Sequence, residues 1–132
     1  MKNLILSFLI LVLFTSCSAT QKTTTNSNLP KDAVRIANEE LEYEIIIIDA
    51  GFNSYLHSIA KPISFYSDFF LESKNRFYVT TWNNRARTPL NYNSSIYENI
   101  IDYDFNTHYG LEVNYKLYNY FKFVEHKYGE KF

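Results

Sequence analysis

The chain has 132 residues, which is enough for one domain with a short extension and too few for two ordinary domains. Aromatic side chains make up 18% of it, which argues against a wholly disordered protein, and 3 Gly and 3 Pro exclude collagen-like and low-complexity classes. The net charge of -1 lacks the basic field of a nucleic-acid binder, and the single Cys excludes a disulfide scaffold and a cysteine-based zinc knot. We therefore expect a small folded protein with no nucleic-acid partner.

The first residues have the pattern of an export signal. Lys2 gives a short basic start, residues 4–14 are uncharged and mostly apolar, and small residues lead to Cys17. The apolar run is too short for a membrane-spanning helix, which needs about 20 residues. Residues 14–17, FTSC, resemble the lipobox of bacterial lipoproteins, with Phe14 in place of the usual Leu. The resemblance implies cleavage before Cys17 and lipidation of its thiol; the alternative is an ordinary cleaved signal with an incidental thiol.

These features divide the chain into three parts. Residues 1–16 are predicted to be a lipoprotein signal peptide, and residues 17–30 a lipidated cysteine with a flexible tether rich in Ser, Thr and Asn. Residues 31–132 are predicted to form a single globular domain. Some Gram-negative lipoproteins carry an acidic surface-export signal after the cysteine, and none follows Cys17. We therefore expect a lipid-anchored protein of the cell envelope, in the outer membrane and facing the periplasm.

The first half of the domain is predicted to contain a strand and a short helix. Residues 42–49 give the clearest strand, because alternation at its start passes into four consecutive isoleucines. Such a run indicates that the second half of the strand is covered on both faces. Residues 53–60 are predicted to form the short helix, which Pro62 ends.

A longer helix is predicted next, capped by Ser64 or Ser67 and running to about Arg87. Its apolar residues recur at the spacing of a helical face. The alternative for residues 77–82 is a strand, since their intrinsic β preference is high. The helical periodicity continues on both sides of this segment and favours the helix.

A second strand and a last helix complete the prediction. Residues 95–103 alternate as a strand does. Residues 109–128 are predicted to be a helix with Thr107 as its N-cap and Gly129 as its stop, although the alternation at its start also fits a strand. The order β-α-α-β-α predicts a small α/β or α+β domain. Its two-stranded sheet, parallel if the helices form a crossover, would be packed by helices.

Several short motifs of the domain carry a resemblance to a known family. They are Asp49-x-Gly51-Phe52, Lys61-Pro62, Phe65-Tyr66-Ser67, Asn75-Arg76, Trp82-Asn83-Asn84-Arg85, Tyr97-Glu98, Tyr109-Gly110-Leu111-Glu112-Val113-Asn114-Tyr115 and Tyr118-Asn119-Tyr120-Phe121. These motifs resemble those of an uncharacterised family of short lipoproteins from Bacteroidota, over about residues 42–128. The resemblance implies a lipoprotein and gives no residue a catalytic role.

Four residues of the domain are candidates for ligand or partner contacts. Asp49 follows a strand and precedes Gly51, and the carboxyl ends of buried strands are where α/β folds place binding groups. The alternative is that Asp49 caps the following turn or helix. Trp82, Asn84 and Arg85 combine a ring, an amide and a guanidinium, as binding hot spots and sugar sites do. The alternative is a core Trp beside a solvated helix face.

The sequence predicts no catalytic constellation, metal site or cofactor. The three His have no partner at a metal-ligand spacing. Asp102-x-Asp104-x-Asn106 begins like a calcium loop but lacks the Gly and Glu that such a loop needs further on. The predicted function is therefore a non-catalytic binding or interaction module, attached to the membrane by its lipid, whose partner is an envelope protein or a glycan.

Two alternatives to this function remain open at this stage. One is a small envelope enzyme with a site near Asp49 and His57, which would need a cleft that joins these groups. The other is an accessory subunit of an outer-membrane complex.

Overall fold

The computed structural model of the protein describes residues 33–132. The signal peptide, Cys17 and the tether predicted above lie outside these residues. The described elements are the strands β1 (Val34–Asn38) and β2 (Tyr43–Ile47) and the helices α1 (Phe52–Ser58), α2 (Asp68–Ala86) and α3 (Leu111–Tyr128), with a 3-10 turn (Ile63–Phe65) between α1 and α2. The prediction of a small single domain with a two-stranded sheet packed by helices is confirmed, although the order is β-β-α-α-α.

The sheet is an antiparallel hairpin, with Val34 opposite Ile47 and Asn38 opposite Tyr43. The condition for a parallel pair, a helical crossover between the strands, is not met, because β1 and β2 are joined by a short turn and run in opposite directions. The Asn38 side chain organises the turn: its Oδ1 accepts hydrogen bonds from the backbone N–H groups of Glu40 and Leu41.

The strand predicted at residues 95–103 is wrong, since this segment is irregular. Its backbone is held by side chains of α2 instead of by a neighbouring strand. Trp82 Nε1 donates to the carbonyl of Asn99 at 2.8 Å. The amide of Asn83 both donates to the carbonyl of Ile101 and accepts from its N–H, each at 2.8 Å. Residues 95–103 therefore pack along α2 and do not join the sheet.

The core lies around α3, which contacts α1, α2, β1 and the 3-10 turn. At the end of β2, Ile47 is buried and Ile46 is half-buried, while Ile48, the residue after the strand, is 61% exposed. The four isoleucines are therefore not covered equally on both faces as expected: within residues 33–132 the face of Ile47 joins the core, and the face of Ile46 and Ile48 is partly open to solvent. The buried apolar core consists of Val34, Ile36, Ile47, Phe52, Leu71, Tyr78, Val79, Trp82, Tyr97, Tyr103, Tyr109, Val113, Leu117, Tyr118, Phe121, Phe123 and Val124.

The ends of α2 and α3 can be compared with the predicted cap and stop residues. Ser67 caps α2, accepting a hydrogen bond from the N–H of Phe70 at 3.2 Å, and α2 includes residues 77–82 as predicted. Gly129 ends α3 in a left-handed conformation with φ 72°. The N-cap of α3 is Gly110 and not Thr107, because the Thr107 hydroxyl is bound to Asp104 in the preceding turn.

Because several tyrosines are buried, we expect the folded domain to lose stability at alkaline pH. Burial raises the pKa of Tyr97 to about 12, against the opposing effect of Arg85, and it also raises the pKa of Tyr43, Tyr103 and Tyr120. In the unfolded chain a phenol loses its proton near pH 10. Above about pH 10 the unfolded state therefore binds fewer protons than the folded state, and the free energy of unfolding falls as the pH rises towards 12.

A series of thermal melts at increasing pH, with phenolate absorbance recorded in parallel, checks this expectation. The melting temperature should fall once the pH exceeds about 10. A melting temperature that stays constant while the exposed phenols ionise would contradict it.

Candidate active cleft beside the second strand

A cleft of about 710 Å³ lies between β2 and residues 95–102. Every residue from 42 to 49 lines it. Side chains alternate between the two faces of a strand, so a cleft that touches all of them in succession runs along the edge of the strand. The other edge of β2 is paired with β1. The cleft therefore follows the unpaired edge of the sheet.

The inner wall of the cleft is apolar and aromatic. Trp82, Leu117 and Tyr120 line it from α2 and α3. The Trp82 ring is buried among aromatic rings of the core, so it presents a fixed surface to the cleft. Ile48 and Ile100 line the cleft as well and are partly open to solvent. This combination offers apolar contact area inside an open groove.

The charged groups that line the cleft are all acidic. They are Glu42, Glu44, Asp49, Glu98 and Asp102. Two of the five are neutralised from outside the cleft, Glu44 by Arg35 and Asp49 by Lys127.

Glu42, Glu98 and Asp102 form no ion pair with any residue between 33 and 132. The negative charges also affect Tyr120, which lines the cleft. Burial is the main cause that raises the pKa of Tyr120, and Asp49, Tyr128 and Glu98 raise it further. The cleft is thus a region of negative potential.

Asp49 lies two residues after the end of β2 and lines the cleft. Its Oδ1 accepts from Lys127 Nζ at 2.5 Å, and its carboxylate also accepts from the Tyr128 hydroxyl at 3.2 Å. These bonds connect the hairpin to the last turn of α3, and the bond from Lys127 to Asp49 is the first cause that raises the pKa of Lys127. The N-cap of α1 is Gly51, without a side-chain cap, so the carboxylate of Asp49 does not cap that helix.

The structure brings together two of the four predicted contact residues of the domain, since Asp49 and Trp82 both line the cleft. Arg85 donates to the Tyr97 hydroxyl at 2.6 Å and to Glu130 at 2.9 Å, so it attaches the C-terminal residues to α2. Asn84 is exposed on α2 and does not line the cleft.

His57, proposed above as a possible enzymatic partner of Asp49, is exposed on α1. Neither ion pairs nor side-chain hydrogen bonds join it to Asp49, whose partners within residues 33–132 are Lys127 and Tyr128.

A second polar group, which the sequence analysis missed, lies at the start of α2. His108 Nδ1 is 2.7 Å from Glu72 Oε1, and its Nε2 is 3.1 Å from Asp68 Oδ2. A neutral imidazole has one N–H, so only the imidazolium can donate to both carboxylates. The ligand atoms lie within 4.8 Å of one another, a spacing compatible with a metal ion. In the sequence, this cluster was signalled only by the i,i+4 spacing of Asp68 and Glu72, because His108 lies in a loop far along the chain.

The fold and the cleft define a small α+β domain with an open, acidic strand edge. The chain belongs to a family of unknown function, DUF6146, which matches residues 4–132. No curated protein and no solved structure matches the chain. Over residues 33–132, none of the helices combines the length and the apolar character that crossing a membrane requires.

Proposed function

We propose that this protein is a lipid-anchored component of the cell envelope whose domain binds another envelope protein in the cleft beside β2. The observation that carries the binding role is the open strand edge next to apolar side chains and uncompensated carboxylates. An apolar wall next to a free strand edge supports a binding role, because such an edge can pair with an extended peptide.

The anchor rests on the N-terminal residues. An apolar run ends at Cys17, the only cysteine, as in the lipoproteins that these residues resemble. One acyl chain holds a protein only marginally, whereas two or three hold it stably. A tether between Cys17 and the domain would keep the cleft close to the membrane surface, facing the periplasm if the anchor lies in the outer membrane.

Lipidation of Cys17 is tested by metabolic labelling with a fatty-acid analogue. We expect the wild-type protein to be labelled and Cys17→Ser to remain unlabelled, because the serine hydroxyl does not replace the thiol as the acyl acceptor. Equal expression of the two chains is the control. Equal labelling of both would show that the lipid is attached elsewhere, and labelling of neither would remove the anchor from the proposal.

Binding in the cleft is tested by photo-crosslinking in intact cells. A photoreactive phenylalanine analogue replaces Ile100, which lines the cleft and is 48% exposed, or Leu90, which is 99% exposed and lies outside it. We expect a light-dependent adduct with an envelope protein at position 100 and none at position 90. Adducts at neither position, or the same adducts at both, would contradict a binding role of the cleft.

A further inference from the structure

We infer that the free edge of β2 binds an extended, basic segment of the partner protein as an added third strand. The inference rests on the proposed use of the cleft and names the chemistry of its occupant. Along an edge strand, alternate residues turn their N–H and C=O groups away from the neighbouring strand. In β2 these groups face the cleft, because β1 occupies the other side. They can pair with a peptide by β-strand addition.

Within residues 33–132, the edge of β2 lacks several of the features by which proteins block strand pairing. Edges are protected by Pro, by Lys and other charged side chains, by bulges, by short strand length or by a covering element. The strand Tyr43–Ile47 contains neither Pro nor Lys, and its register with β1 is continuous. The outer edge of β1 differs, because Lys116 of α3 donates to the carbonyl of Arg35 and Asn38 bonds to the backbone of Tyr109. Among the described residues, the edge of β1 is therefore partly occupied by α3, and the edge of β2 faces the cleft.

The charge of the cleft indicates a basic partner. Glu42, Glu98 and Asp102 form no ion pair within the described part of the chain, and no Lys or Arg lines the cleft. Lys or Arg side chains of an added strand would meet these carboxylates, and the intervening apolar side chains would face Tyr120 and Ile100. A second copy of this chain is a poor occupant, since pairing two β2 edges would bring like charges together.

The dimensions suit a short peptide. Five residues of β2 offer an edge of roughly 17 Å at about 3.3 Å per residue. A cleft of about 710 Å³ beside this edge is within the usual range for ligand sites, about 300–1,000 Å³. An alternating Lys and Val peptide of similar length therefore models the partner.

The test uses the full-length lipoprotein in detergent micelles and the fluorescent peptide acetyl-Lys-Val-Lys-Val-Lys-Val-Lys-amide, with binding followed by anisotropy. Two further peptides carry N-methyl groups either on every Lys or on every Val. Alternate N–H groups of an extended peptide point to opposite edges, so only one of these peptides loses its bonds to β2. We expect the affinities of the two methylated peptides to differ by about tenfold or more. Equal affinities would overturn strand addition.

Charge variants test the contribution of the cleft carboxylates. Glu98→Lys should weaken binding of the basic peptide several-fold, and Glu40→Lys, an exposed reversal in the hairpin turn outside the cleft, should leave it unchanged. Thermal melts confirm that both variants are folded. The peptide with Glu in place of Lys should not bind. Equal binding of the acidic and basic peptides, or equal effects of the two reversals, would contradict a basic partner.

The outcomes separate this inference from the proposed function. If no basic peptide binds while Ile100 still gives a protein adduct, strand addition by a basic segment is wrong and the cleft remains a binding site. If the adduct at position 100 is a glycan or a second copy of this chain, the inferred occupant is wrong. If the peptide does not bind and no adduct forms, the proposed binding role fails as well.

Discussion

Phe121→Ala is expected to remove a large part of the stability of the domain. Phe121 is fully buried in α3, and its ring packs against Tyr78, Trp82 and Phe132 with centroid distances of 5.4, 6.0 and 5.2 Å. Replacing a buried Phe by Ala costs about 3–5 kcal/mol, because the lost apolar contact is accompanied by a cavity. A domain of this size has a free energy of unfolding of only about 5–15 kcal/mol.

The measurement is a thermal melt followed by circular dichroism, with Phe69→Ala as the matched control. Phe69 lies on α2 and is 80% exposed, so its removal should change the free energy of unfolding by no more than about 0.5 kcal/mol. The two variants lose the same atoms and differ only in burial. Similar melting temperatures for both would show that Phe121 does not lie at the centre of the core.

Asn114→Ala is expected to be nearly as destabilising, for a different reason. Asn114 is fully buried in α3. Its Oδ1 accepts from the Tyr103 hydroxyl at 2.8 Å and from Asn75 Nδ2 at 3.2 Å, and its Nδ2 donates to Asp68 at 2.9 Å. Alanine would leave the Tyr103 hydroxyl without this acceptor inside the core. Because each unsatisfied buried polar group costs about 1–3 kcal/mol, we expect a loss of about 2–5 kcal/mol.

Denaturant unfolding of Asn114→Ala and of Asn84→Ala measures this effect. Asn84 is exposed on α2, and the same substitution there should be nearly neutral. A double variant that also carries Tyr103→Phe should recover part of the loss, since the hydroxyl left without a partner is then absent. No recovery would indicate that the cost of Asn114→Ala comes from packing and not from the hydrogen bonds.

Residue periodicity was sufficient to predict the helices, whereas the end signals left Ser64 or Ser67 as the cap of α2 and placed the N-cap of α3 at Thr107 instead of Gly110. The cap at Ser67 and the stop at Gly129 involve neighbours a few residues away, so both are visible in a single sequence. The strand β2 was also recognisable, because its run of β-branched residues is itself a local property. The predicted end of α3 at residue 128 agrees with the structure for the same reason.

The pairing of the strands was not visible in the same way. Val34 and Ile36 of β1 alternate with Arg35, but the strand is short and adjoins the Ser- and Thr-rich tether, so its pattern was not recognised. Residues 95–103 carry a clearer alternation and are not a strand. A β-strand needs a neighbouring strand to bond its backbone N–H and C=O groups. In this segment the side chains of Asn83 and Trp82 form backbone hydrogen bonds instead.

The sequence by itself determined the helices, the strand β2 and the candidates Asp49 and Trp82, because each depends on the residue type and its near neighbours. Only the tertiary structure decided that both candidates line one cleft and that Asp49 is paired with Lys127. It also placed Glu98 and Asp102 opposite the free edge of β2. The physical reason is that helical hydrogen bonds join residues four apart, whereas an open sheet edge and its charge depend on contacts between segments far apart in the chain.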